Sequence, residues 1–294
     1  MAGGLPMSDQ APERPDFIND NPPTGFGVVA KPLSLLERIF DRGEVRKGLM
    51  LVALALVWEG YARWLDNPLL FPTFVDTALA FWNGMRSGEL FNATVVSVST
   101  LMQGYVLGLL FAALLTAFAT ATRVGADLLD TLTAMFNPLP SIALLPLAMI
   151  WFGLGNGSIV FVLVHAVMWS VALNTHTGFR SVSQMWRMVG QNYGLSRFAY
   201  VTKILIPGAL PSILTGLKIG WAFAWRALIA AELVFGVSSS GGGLGWFIFQ
   251  NKNLLEIPGV FAGLLMVIVF GLAVENLVFR TLEQRTIRRW GMQS

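Results

Sequence analysis

Six stretches of this chain are long and apolar enough to cross a lipid bilayer, and they restrict its fold more than any other feature. A hydrocarbon core of about 30 Å takes roughly 17 to 25 helical residues. Lipid offers backbone amides and carbonyls no partner, so each stretch is expected to satisfy itself as a helix. The runs extend from Leu49 to Leu65, Val95 to Ala119, Leu128 to Phe152, Ser158 to Asn174, Ile213 to Phe235 and Ile257 to Phe279. Pro138, Pro140 and Pro146 interrupt the third, which should be kinked or broken. Hydrophobic residues make up 54% of the chain and charged ones 13%, about half the charge of an ordinary soluble domain.

The chain has no cysteine, which removes disulfides, thiolate metal sites and thiol catalysis; its two histidines leave little for a metal centre. Residues 1–30 are rich in Pro, Gly, Asp and Asn without a signal-peptide pattern, and read as a disordered cytoplasmic tail. Over residues 31–47, Leu33, Leu35, Leu36, Ile39 and Phe40 form an apolar stripe among charges, which suits an interfacial amphipathic helix. Residues 48–290 hold the six spans and 291–294 a short tail. Lysine and arginine set the orientation: with both termini in the cytoplasm, fifteen of the 20 fall on that side.

That orientation places a long polar segment, Met185 to Pro211 within a loop over 178–212, in the cytoplasm. Met185, Trp186, Val189 and Tyr193 recur at helical spacing, Gly194 supplies a C-terminal cap and Ser196 an N-cap. Phe198, Val201 and Leu205 continue a second stripe, which Pro207 is expected to end before Pro211 redirects the chain. A short amphipathic helix pair results. On the outer face, FPTFVDTALAFWNGM reads as an amphipathic helix and SSSGGGLG as a flexible turn; the latter lacks the Gly-Lys-Ser/Thr ending of a phosphate loop.

The segment resembles the cytoplasmic loop of permease subunits in binding-protein-dependent ABC importers. Their pattern is Glu-Ala-Ala, three residues, Gly, nine residues, Ile, one residue, Leu-Pro. Gly194, Ile204, Ile206 and Pro207 fall at those spacings; Met188, Val189 and Gly190 stand in place of Glu-Ala-Ala, and Ile206 in place of Leu. The strings NPLPSIALLPLAMIWFGLGNGS, PGALPSILTGLKIGWAFAWRALIAAEL and GGLGWFI are similar, in order, to the nitrate, sulfonate, taurine and bicarbonate branch. The resemblance implies an all-α integral membrane fold of the type I ABC importer permease kind, with six transmembrane helices and a cytoplasmic helix-turn-helix coupling loop. It further implies two ATP-binding subunits docked on that loop (Met188, Val189, Gly190, Gly194, Ser196, Ile204, Ile206, Pro207). A second, identical permease subunit and an extracytoplasmic solute-binding protein complete the assembly, in a bacterial inner membrane. ATP is then used by the partner and this chain binds no cofactor, metal or nucleic acid.

An ionisable group at mid-membrane costs about 2.5 to 3.5 kcal/mol on insertion scales, so those inside spans are candidate pathway or structural charges. Arg226, Glu232 and Glu275 qualify, with His165 and Glu59. Arg226 and Glu232 are six apart and point to different faces of one helix, so each should look to other helices. Arg226 either attracts an oxyanion on the pathway or partners Glu275 or Glu59. His165 reads as an interhelical hydrogen-bonding residue and Glu59 as an interfacial anchor. Gly104 and Gly108 form a GxxxG pattern that serves packing within the subunit or between subunits.

Two other functions fit the sequence less well. An ion-coupled secondary transporter would use Arg226, Glu232 and Glu275 but places its broken helices in matching halves, and no repeat of the third span is evident. A membrane enzyme needs acid, base or metal ligands clustered at one depth, and His165 and His176 have no carboxylate pair beside them. The expectation is a transport subunit, not an enzyme, importing a small anionic solute.

Overall fold

The computed structural model describes residues 43–235 and 242–288. The tail expected over 1–30, most of the interfacial helix over 31–47, the tail at 291–294 and the start of the glycine-rich run lie outside the described residues. The chain divides into two compact units, residues 1–54 and 55–294. Of the first, the leading half of helix α1 (Gly43–Leu65) is described, with Leu49, Met50, Leu51 and Leu54 exposed.

The described part of the second unit is helices joined by turns and short loops. After α1 come α2 (Phe74–Ser87), α3 (Glu89–Ala121), α4 (Arg123–Phe136), a 3₁₀ turn (Ser141–Leu144), α5 (Leu145–Phe152) and α6 (Asn156–Ser181). Then follow α7 (Gln184–Asn192), α8 (Arg197–Tyr200), a π turn (Val201–Leu205), α9 (Ile206–Phe235), α10 (Leu244–Asn253), α11 (Ile257–Val274), a second π turn (Glu275–Phe279) and α12 (Arg280–Glu283). Among the described residues, five continuous helical runs are long and apolar enough to cross a membrane, and a bent pair makes a sixth if counted as one span.

The break lies where the prolines put it. α4 and the segment Ser141–Phe152 meet at 89°, because Pro138 and Pro140 have no amide hydrogen and push the residues before them out of helical geometry. Pro146 does not contribute: it sits in the first turn of α5, where the amide hydrogen would have no helical partner anyway.

α6 is the centre of the unit, 61% buried over its most apolar window, and packs chiefly on α3 and α9. The GxxxG pair makes the first of these contacts inside the subunit: Gly104 lies against Leu163 and Gly108 against Val167, whose Cβ would stand 2.7 Å from a methyl group added at 108. α6 and α9 run antiparallel, with Gly178 against Ser212, Gly216 against Asn174 and Gly220 against Val171.

Two expectations fail. Pro207 does not end a helix and Pro211 does not redirect it; both lie inside α9, and one apolar run extends from Arg197 to Val234. The π turn accounts for this, since wider hydrogen bonding (Ile206 N–H to Val201 O) leaves fewer carbonyls waiting for the amide that Pro207 lacks. After the glycine-rich run, Leu244–Asn253 is a helix that the sequence reading did not place.

Candidate functional site

At one end of the unit α7 and α8 form a compact pair. Gly194 takes φ +62° and its N–H bonds to Gln191 O (2.9 Å), while Leu195 N–H reaches Gly190 O (3.3 Å), the paired bonds of a helix stop that favours glycine. Ser196 Oγ accepts from Ala199 N–H (3.3 Å) and starts α8. Gly190 is buried where the helices cross; a Cβ there would stand 2.8 Å from the Tyr200 ring. Phe179, Val182, Leu205 and Ala209 make a small separate core beneath the pair, with Ile204 packed against it. Arg187 fastens α7 to the end of α6, donating to Phe179 O (2.6 Å) and Val182 O (3.1 Å).

On the other face of the pair the described residues leave a row of side chains uncovered. Met185, Trp186, Met188, Tyr193 and Phe198 are 50 to 81% exposed. Val189 is half-buried, Ile206 exposed and Pro207 half-buried at the junction with α9. The face is apolar and large, and the small core beneath it takes Phe179 from the end of α6 and Ala209 from the start of α9.

The charged groups of the spans are separated. Glu275, at the π turn after α11, forms an ion pair with Lys218 of α9. Glu59 accepts from Arg63 (2.7 Å) and from Val75 N–H (3.2 Å), so it caps α2, next in the chain to Trp58, which with Tyr61 packs on Phe71. The two carboxylates considered as partners for Arg226 are therefore engaged elsewhere.

Glu232 is 4% exposed at the far end of α9. Its carboxyl oxygens accept from Ser97 Oγ of α3 (2.8 and 2.7 Å) and from Gly245 N–H (2.9 Å), while Ser97 Oγ accepts from Leu244 N–H (2.8 Å). One buried acid thus ties α3, α9 and the N-terminus of α10 together. Sequence reasoning missed Ser97 and the helix it caps. It also read the glycines as flexibility, whereas Gly243 and Gly245 leave the room Glu232 occupies: a Cβ at 245 would stand 2.6 Å from Glu232 Cβ.

Arg226 lies on the open face of α9. Its Nε donates to Ala222 O (3.1 Å) of its own helix, and its guanidinium carbon sits 5.0 Å from the centre of the Phe223 ring. It borders a cavity of about 340 Å³ formed where the broken span passes α6 and α9, with Asn137, Ser141, His165 and Trp169 also in its walls. His165 Nδ1 is 3.4 Å from Ser141 Oγ. A larger cavity of about 720 Å³ lies between α3, α6, α8 and α9, its walls mostly aliphatic and threonine side chains with Arg197 and Tyr200 of α8.

The sequence matches, over residues 104–288, the family described as "Binding-protein-dependent transport system inner membrane component". It is 30% identical over 233 residues to a putative ABC transporter permease protein of Methanocaldococcus jannaschii, covering 78% of this chain and 86% of that protein. It is 30% identical over 248 residues to the taurine transport system permease protein of Escherichia coli (81% and 86% covered). Identity to the nitrate import permease protein of a Synechocystis species is 27% over 256 residues (84% and 90%). Among solved structures, the inward-facing MetNI methionine ABC transporter covers 65% of this chain and 93% of its own at 15% identity, with a TM-score of 0.48.

Proposed function

This chain belongs to the family of binding-protein-dependent transport system inner membrane components and is an ABC importer permease; from that membership we propose that it works through the uncovered face of α7 and α8. The observation that carries the reading is the run of exposed Met185, Trp186, Met188, Tyr193 and Phe198 on a helix pair with a small core beneath it. Such a face is built for a groove in another protein. Its occupant is an ATP-binding subunit, which hydrolyses the nucleotide this chain has no phosphate loop to hold.

The pair lies in the cytoplasm of a bacterial cell, on the inner membrane, a reading that the lysine and arginine bias supports. Two permease subunits, two ATP-binding subunits and an extracytoplasmic binding protein make the importer. Its solute is a small anion of the nitrate, sulfonate, taurine or bicarbonate kind, in keeping with the taurine, sulfonate and nitrate permeases among its relatives. Because α8 continues through the π turn into α9, movement of the docked pair reaches the span directly, and alternate access follows from tilting of that span. An ion-coupled mechanism is not favoured, since Glu232 and Glu275 are both engaged within the subunit.

Affinity purification of the full chain from native membranes in mild detergent, followed by mass spectrometry and an ATPase assay, tests the docking. The chain should bring down an ATP-binding subunit, and a Met188→Asp, Phe198→Asp double variant should lose it, by about tenfold or more if two apolar anchors are removed. Both side chains are exposed, so the fold should survive. Undiminished copurification with the variant would refute the docking face. A wild-type chain that brings down no ATPase and transports alone under an ion gradient would refute the ATP-driven mechanism.

A further inference from the structure

The cavity at the broken span holds hydrogen-bond donors and no acid. Arg226, Asn137, Ser141, His165 and Trp169 are among the residues that line it, and none of its lining residues carries a carboxylate. His165 is 9% exposed and Trp169 is 6%, yet His165 Nε2 and Trp169 Nε1 have no hydrogen-bond partner among the described residues. Buried polar atoms are rarely left so. A donor orphaned in an apolar wall is unfavourable, which points to an occupant that accepts.

The remaining geometry agrees. The antiparallel register that sets Gly216 against Asn174 and Gly220 against Val171 brings Arg226 level with His165. Each lies about nine residues, roughly 14 Å, from the same end of its helix. The Arg226 guanidinium uses Nε on Ala222 O and rests by Phe223, and no carboxylate among the described residues pairs with it. When the Ser141 hydroxyl donates to His165 Nδ1, the hydrogen of the neutral ring is on Nε2, a further donor. Phe136 stacks on Trp169 at 5.4 Å and fixes the indole.

We propose that this cavity is an oxyanion-binding subsite inside the membrane, in which Arg226 supplies the charge and Trp169 Nε1 and His165 Nε2 donate to oxygens of the anion. The inference rests on the importer reading for its role, as a transit site on the pathway, but binding itself is a property of this chain. The ligand is a compact group with several acceptor oxygens, a sulfonate or a nitrate, and the break at Pro138 and Pro140 provides the opening between helices that admits it. Chloride, with no oxygen geometry to match two directed N–H donors, should bind less well.

The test is calorimetric titration of the full chain, with any ATP-binding subunit that accompanies it, in lipid nanodiscs. Sodium methanesulfonate and sodium nitrate are the probes, each against sodium chloride at equal ionic strength. Saturable binding of at least one oxyanion is expected, weakened about tenfold or more by Arg226→Gln, partly recovered in Arg226→Lys, and weakened about threefold by Trp169→Phe, which keeps the stack on Phe136 but removes the donor. Absence of saturable binding by the wild type, or equal binding by Arg226→Gln, overturns the subsite. ATP hydrolysis by the same preparations reports separately on the importer reading: if no ATPase accompanies the chain while Arg226-dependent binding persists, the coupling reading fails and the subsite stands.

Discussion

Glu232 and Arg226 sit less than two turns apart on α9 and meet opposite treatment. Glu232 is enclosed, and each neighbour supplies what its carboxyl group accepts: Ser97 from α3 and the Gly245 amide from α10. Arg226 faces outward with a single bond to its own helix, beside two buried nitrogens that have no partner among the described residues. A polar group inside a membrane protein costs least when it is fully bonded. A charge that is fully bonded, however, has nothing left for a ligand. The helix therefore divides the two uses of a membrane charge between its faces, one joining spans and one left available.

The contrast breaks most visibly at Glu232. Glu232→Leu leaves the Ser97 hydroxyl and the Gly245 amide without an acceptor in a dry site, and should destabilise the chain by about 3 kcal/mol, read as a fall in the unfolding midpoint in detergent. Ser97→Ala removes one donor to the carboxyl group and the acceptor of Leu244 N–H together; about 1.5 kcal/mol is expected in the same measurement. Arg226→Gln should change the midpoint least, by less than about 0.5 kcal/mol, since it breaks no bond between helices. A large loss of stability in this last variant would make Arg226 a structural residue and abolish the contrast.

Much of this was legible from residue types at known spacings. Apolar length gave the spans, Pro138 and Pro140 the break, and Gly194 with Ser196 the turn between α7 and α8, since each depends on local sequence. Failures arose where a long-range partner decides local structure. Gly243 and Gly245 look like flexible links until Glu232, brought from another helix, needs their missing side chains. α10 is short, without a clear amphipathic period, and begins on groups supplied by α3 and α9. Pro207 and Pro211 signal a helix end only if hydrogen bonding keeps its α register; the π turn at Val201–Leu205 changes that register and the helix continues. For the cavity, Arg226 and His165 stood out as charges in spans, but Ser141 and Trp169 did not, because only the antiparallel register of α6 and α9 and the bend beside them bring all four together.

The pairing of Lys218 with Glu275 has a consequence for biogenesis. Translation delivers the lysine in α9 well before the glutamate at the end of α11. Until the final span emerges, the nascent α9 must carry an uncompensated cation towards hydrocarbon, at a cost of up to about 3 kcal/mol at mid-depth. Partition of α9 into lipid is thus most favourable once the last span lies beside it, so the C-terminal third of the chain is expected to leave the translocon as one helical group.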